Sequence, residues 1–229
     1  MGQSFRIPAR PEPFEARAAE TALVVVDMQN AYLSKGGYYD VFGVDISGAP
    51  ELIKRVNAVV SASRAAGLSV VFFQNGFAPD LHDAGGPDSP NWYKYNALRL
   101  MRERHALRGT LLTKGGWDYA LQDEIRPEPG DVIVQKPRYS GFWGTNLDMI
   151  LRSRGIRRLV FTGIASNVCV ESTLRDAFFL EYFPLLVADA SLQAGPPAIH
   201  EAVLYNVQTY FGWVTTTDQY VQALASPVA

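Results

Sequence analysis

The 229-residue chain predicts an α/β protein, a doubly wound six-stranded parallel sheet in the order 3-2-1-4-5-6 with helices on both faces. Two patterns carry the expectation of a parallel sheet covered on both faces. Short β-branched runs alternate with amphipathic stretches along most of the length, as repeated strand–helix units do. The runs are also apolar at nearly every position rather than at every second one, which marks strands covered on both faces. Hydrophobic residues make up 48% of the chain and charged residues 19%, enough apolar material for a sizeable core and too much for a disordered chain.

The first twenty residues, rich in Pro, Arg and Glu, show no sustained periodicity and predict an arm (1–20) that leads into a single domain over 21–229. TALVVV (21–26) is the first strand. In PELIKRVNAVVSASRAAG, residues Leu52, Ile53, Val56, Val59 and Val60 share one helical face, and Gly67 ends the helix. LSVVFF (68–73) is the second strand. An excursion of about 55 residues, from Asn75 to Gly130, is far longer than an ordinary connection and is expected to shape a pocket or an interface. The alternation resumes with a strand at DVIV (131–134), a helix at NLDMILRSRG (146–155) and a strand at RRLVFT (157–162). A helix from about Cys169, a strand at PLLVAD (184–189), a helix across AIHEAVLYNVQTY and a last strand near GWVTT complete it.

Several functions are disfavoured before any site is considered. The net charge is −2 and the 21 basic residues are scattered, so no nucleic-acid partner is expected. One cysteine cannot form an internal disulfide, MGQSFRIPARPEP lacks a signal peptide's apolar centre, and no apolar run reaches the roughly 18 residues of a membrane span. A cytoplasmic protein with no membrane partner is therefore expected. The first strand leads into VVVDMQNAY, which is neither GxGxxG nor a Walker loop, and GxSxG is missing. His82, His105 and His200 have no metal-ligand spacing. Neither a cofactor nor a metal is expected.

Ligands of open α/β sheets bind beyond the carboxyl ends of the strands, where strand order reverses. In the predicted order that crevice lies between the first and fourth strands. Asp27 follows the first strand, Lys136 the third, and Cys169 sits near the start of the helix after the fourth. Singly, a cysteine is most often a small buried hydrophobe, an aspartate after a strand caps a turn, and a lysine is a solvated charge. Their common placement at strand ends favours chemistry. A helix N-terminus and a nearby ammonium favour a thiolate, and a carboxylate can take the thiol proton and deliver it to a leaving amine. Asp27, Lys136 and Cys169 thus compose an acyl-transfer triad without histidine. Gln29, Asn75, Tyr139, Trp143 and Asn167 are candidate substrate contacts, and Lys94, Arg138 and Arg175 are the candidates for binding an anionic group.

VVVDMQNAY, KP with a following glycine, and GIASNVCVEST, in that order and spacing, resemble the three motifs of the isochorismatase-like cysteine hydrolases. That family includes nicotinamidases, N-carbamoylsarcosine amidase and biuret hydrolases. The resemblance implies the isochorismatase-like hydrolase fold and Asp27, Lys136 and Cys169 as the catalytic residues. It also implies an oxyanion hole from the backbone N–H groups of Ala165 and Cys169, beside a non-proline cis peptide at Ile164–Ala165, with Ser166 and Asn167 as loop wall. Segments such as GGYYD, FQNGF, KPRYSGFWGTNLDMILRSRGI and ESTLRDAFFLEYF extend the likeness from Thr21 to Val214, toward members that cleave a ureido group through an S-carbamoyl cysteine. A small-molecule ureido substrate and a homo-oligomer are therefore implied, with biuret, triuret or another N-carbamoyl amide as the alternative substrate. A non-catalytic binding subunit is the competing reading, disfavoured because all three triad positions are filled. Two departures argue against nicotinamide: Asn167 stands where nicotinamidases and biuret hydrolases usually have Asp, and FFQNGFAPD lacks the metal-holding Asp and histidines of nicotinamidases.

Overall fold

A computed structural model describes residues 2–228. Along the chain run β1 (Ser4–Ile7), β2 (Phe14–Arg17), β3 (Thr21–Val26), α1 (Asn30–Leu33), α2 (Tyr38–Phe42), α3 (Ala49–Ala65) and β4 (Ser69–Asn75). The long excursion holds α4 (Pro90–Lys94) and α5 (Asn96–Glu103). Then follow β5 (Val132–Lys136), α6 (Leu147–Ser153), β6 (Arg158–Ile164), α7 (Glu171–Phe179), β7 (Phe183–Leu192), α8 (Pro197–Asn206), β8 (Trp213–Thr215) and α9 (Thr217–Leu224). The main sheet has six parallel strands in the order β5-β4-β3-β6-β7-β8, which is the expected 3-2-1-4-5-6 in order of appearance.

Each face of the sheet has its own core, because successive side chains of a strand point to opposite faces. Leu23, Val25, Phe72 and Val160 pack with Leu52, Val56 and Val59 of α3 and Tyr220 of α9. Ala22, Val24, Phe73 and Phe161 pack with Leu147 of α6, Leu174 of α7 and Val203 of α8. All six residues of β3 are buried for this reason. Among the described residues, no helix is long and apolar enough to cross a membrane.

Residues 4–17 depart from the irregular arm that composition suggests. β1 and β2 pair antiparallel, and Phe5, Ile7, Phe14 and Ala16 are buried in the α3 and α9 core. The alternation that marks them spans only four residues per strand, too short to stand out from a Pro-rich context.

At the switch point the chain makes close approaches. Gly163 of β6 pairs with Val26 of β3 at φ +104°, and a Cβ there would collide with the Val26 backbone, so only glycine lets the two strands meet at this level. One residue past β3, Asp27 adopts φ 50°, a left-handed turn that aspartate tolerates better than most residues. Asp27 thereby leaves the strand at the mouth of the crevice.

Candidate active site

The structure brings Asp27, Lys136 and Cys169 together at the carboxyl ends of β3, β5 and β6. Lys136 Nζ lies 2.8 Å from Asp27 Oδ2, and both side chains are fully buried. The ammonium also donates to the carbonyls of Arg138 and Tyr139, each at 3.1 Å, so it is held by two backbone acceptors beside its charge contact with Asp27. Such a pair persists in a low-dielectric interior because the charges compensate each other and the remaining protons are bonded. The Cys169 thiol lies within hydrogen-bond reach of the Asp27 carboxylate. Neither Asp27 oxygen receives an aligned hydrogen bond of the kind that locks a structural carboxylate, which leaves it able to accept a proton.

Cys169 sits in a π-helical turn, Ser166–Val170, that runs directly into α7. Val168 and Val170, on either side of it, both donate their N–H groups to the Ala165 carbonyl. The Ile164–Ala165 peptide is cis. The helix start expected at Cys169 is present, but the acidity expected of its thiol is reversed. Burial pushes the thiol up to about 12, and the adjacent Asp27 charge adds to that, outweighing the lowering by Lys136. Burial also raises Asp27, against Lys136 and the thiol, which lower it. The sulfur therefore keeps its proton at neutral pH, and Asp27 is the nearest base that can remove it.

Asn75, at the end of β4, reaches the same point: its Nδ2 lies 3.7 Å from Cys169 Sγ and donates to the Arg138 carbonyl at 3.3 Å. Its Oδ1 is buried without a partner, an acceptor next to the nucleophile. Over the sulfur opens a cavity of about 310 Å³, walled mainly by Tyr32, Tyr38, Tyr39, Tyr95, Tyr139 and Asn96. Tyr139 stacks on Tyr95 with centroids 4.9 Å apart, and Tyr32 and Tyr95 share a hydroxyl contact at 3.1 Å. Burial raises the pKa of these phenols, Tyr139 to about 12. The walls are therefore neutral at physiological pH.

Three candidate contacts lie elsewhere. Gln29 is fully buried, and its amide is engaged on three backbone groups: Asn75 N–H at 2.8 Å, Asn75 O at 3.0 Å and Tyr119 O at 2.7 Å. It holds Asn75 in place instead of facing the cavity. Asn167 clamps Ala194 at both backbone atoms, at 2.9 and 3.2 Å, joining the nucleophile loop to the segment after β7. Trp143 is 57% exposed and stands under the Arg138 guanidinium, 4.7 Å from its ring centroid, in a separate groove. None of Lys94, Arg138 and Arg175 lines the cavity over Cys169. Arg138 is bonded to the carbonyls of Asp83 and Pro137, and Arg175 to Glu171.

Sequence reasoning missed the wall built by Tyr32, Tyr38, Tyr39, Tyr95 and Asn96. The run of aromatics after the Asp27 motif is visible, but aromatic clusters are more often core than pocket. It also missed Asp118, which receives the N–H groups of Tyr38 and Leu112 at 3.1 and 2.6 Å. Through Asp118 and the neighbouring Tyr119, the excursion is strapped onto the loop after β3. Among the described residues no group of three or more His, Cys, Asp or Glu side chains is placed to hold a metal ion.

A doubly wound sheet with a buried carboxylate, ammonium and thiol at its switch point defines a cysteine hydrolase architecture. Residues 21–219 match the isochorismatase domain, and the chain belongs to the isochorismatase family. It is 58% identical over 224 residues to the ureidoacrylate amidohydrolase RutB of Stutzerimonas stutzeri (strain A1501), covering 98% of this chain and 90% of that protein. Among solved structures it resembles a cysteine hydrolase from Pseudomonas syringae pv. phaseolicola 1448A, with TM-score 0.76 and 25% identity over 97% of each chain. It also resembles an N-carbamoylsarcosine amidase from Thermoplasma acidophilum, with TM-score 0.65 and 31% identity, over 87% of this chain and 97% of that one.

Proposed function

We propose that this protein is an amidohydrolase that cleaves the ureido C–N bond of 3-ureidoacrylate, giving 3-aminoacrylate and carbamate through an S-carbamoyl intermediate on Cys169. The observation that carries the reading is the juxtaposition of the Cys169 thiol, the buried Asp27–Lys136 pair and the Asn75 amide beneath a neutral cavity. The likeness to ureidoacrylate amidohydrolases over nearly the whole chain supports the choice of substrate.

In this mechanism Asp27 takes the thiol proton as the ureido carbonyl approaches, and the sulfur electron pair attacks the carbonyl carbon. The developing oxyanion is held by the N–H groups of Ala165 and Cys169, a contribution of about 3 to 4 kcal/mol per donor in comparable sites. Collapse breaks the bond to the enamine nitrogen, which leaves with the proton from Asp27. A water molecule that gives its proton to Asp27 then attacks the S-carbamoyl carbon, and carbamate departs as the thiol is restored. Lys136 stays charged throughout, holding Asp27 in place and offsetting the negative charge that passes between oxygen and sulfur. The orphaned Asn75 Oδ1 accepts an N–H of the ureido group, so a carbonyl flanked by NH groups is preferred to an ester.

A second reading keeps the chemistry and takes biuret, triuret or another neutral N-carbamoyl amide, favoured by the lack of any Lys, Arg or His on the cavity wall. Ammonia release by purified protein offered 3-ureidoacrylate, biuret, triuret and nicotinamide in parallel, with Cys169→Ala as the blank, separates the readings. Selective release from ureidoacrylate supports the proposal, and preference for biuret or triuret refutes its substrate. Turnover by Cys169→Ala refutes the mechanism. A ureido acid of this kind results from opening a pyrimidine ring, so the reaction belongs to pyrimidine degradation. The unpaired lone cysteine supports a cytoplasmic setting. The exposed rings of Phe178, Phe179 and Tyr210, clustered about the half-buried Phe211, support a homo-oligomer.

A further inference from the structure

A ureido acid brings a carboxylate into a cavity whose wall carries no cationic side chain. The wall does include the start of a helix. α5 begins at Asn96, its N-cap residue Tyr95 makes no side-chain capping bond, and both residues line the cavity. The first turn of an α-helix has N–H groups without intrahelical acceptors and carries the positive end of the macrodipole. One of these groups, Ala97 N–H, is directed at the Tyr38 hydroxyl and lowers its pKa against the effect of burial. Further along α5, Arg99 lies over the ring of Phe42, another wall residue, at 5.9 Å. No acidic side chain lines the same space.

An independent feature points to the same ligand. Tyr39 is only 7% exposed and lines this cavity, and its hydroxyl, which is not among the sealed-off polar atoms and shows no hydrogen bond among the described residues, is open to that space. A phenol buried to that degree normally finds a hydrogen-bond partner. Tyr39 belongs to α2, and α5 packs beside it, so hydroxyl and helix end border one space.

We propose that the N-terminus of α5, with the Asn96 amide and the Tyr39 hydroxyl, is the subsite for the substrate carboxylate, and that it selects ureido acids over neutral ureas. The proposal rests on the ureidoacrylate reading above and adds the element that recognises the acid. Neutral donors serve here as they do wherever a helix start takes an anion. They bind the carboxylate without setting a side-chain cation beside Cys169 and Asp27, whose proton transfer depends on the balance with Lys136.

The test compares kcat/KM for 3-ureidoacrylate and for its neutral amide, 3-ureidoacrylamide, in the wild type, Tyr39→Phe and Asn96→Asp. Asn96→Asp sets a negative charge against the substrate carboxylate, while an acidic residue in the first turn of a helix favours folding; melting temperatures verify that both variants fold. The ratio of acid to amide kcat/KM is expected to fall roughly tenfold or more in Asn96→Asp and by about five- to tenfold in Tyr39→Phe, mostly through KM for the acid. Acid and amide affected equally, or neither affected, overturns the subsite while the ureidoacrylate reading stands. Equal use of acid and amide by the wild type also overturns it. No turnover of ureidoacrylate by the wild type overturns the functional reading and this proposal with it.

Discussion

Replacing Lys136 with methionine keeps most of the length of the side chain and removes its charge, leaving Asp27 buried beside an apolar group. In the wild type the two charges are 2.8 Å apart at zero exposure, and breaking such a pair from one side costs about 3 to 5 kcal/mol. The variant can avoid a bare buried carboxylate only by protonating Asp27. For a carboxyl with an ordinary pKa near 3.9, holding the proton at pH 7 costs roughly 4 kcal/mol, which falls to about 1.5 kcal/mol at pH 5. The two routes agree on a loss of about 4 kcal/mol at pH 7, a drop in Tm of roughly 8 to 16 °C for a chain of this size. The sign follows from linkage: burial already raises the folded pKa of Asp27, and removing Lys136 raises it further. Stability in the variant is therefore retained below about pH 4 and lost as pH rises above it, by about 1.4 kcal/mol per unit. Thermal melts of both proteins from pH 4 to pH 8 measure the gap. A pH-independent gap, or no gap, refutes the claim that Asp27 is a charged group held by Lys136.

Thiol reactivity separates the two partners of Cys169. Asp27 raises the thiol's pKa and Lys136 lowers it, so iodoacetamide should label Asp27→Asn faster than wild type and Lys136→Met more slowly at a given pH, even though both variants lose turnover. Equal labelling rates contradict the electrostatic account of the site. Labelling of the wild type should rise steadily with pH through the alkaline range, because its thiol is pushed up to about 12; a plateau near neutrality shows a preformed thiolate instead. Gln29→Ala removes three buried hydrogen bonds to the backbone and should destabilise by about 1 to 3 kcal/mol, with kcat lowered through the misplaced Asn75. Denaturant unfolding with unchanged stability refutes the bracing role.

The strand–helix alternation is a local property, written in runs such as TALVVV and in the face shared by Leu52, Val56 and Val59, so the six strands of the main sheet and the helices that cover it were legible from the chain, while the β1–β2 pair and the short helices of the excursion were not. Once strand ends are known, the switch-point rule selects Asp27, Lys136 and Cys169 without knowledge of any contact, because a parallel sheet sends all its strand ends to one edge. What each polar side chain does there depends on partners far away in the chain. Gln29 faces Asn75 and Tyr119, Asn167 faces Ala194, and only the packing of those segments decides that their amides bind backbone. Likewise Phe5 and Ile7 look like part of an arm until α9 and α3 cover them. The thiol shows the division most clearly. Its place at a helix start follows from sequence, but its acidity is set by how completely the surrounding loops exclude water, and solvent exclusion, to which the whole tertiary structure contributes, outweighs the one nearby positive charge.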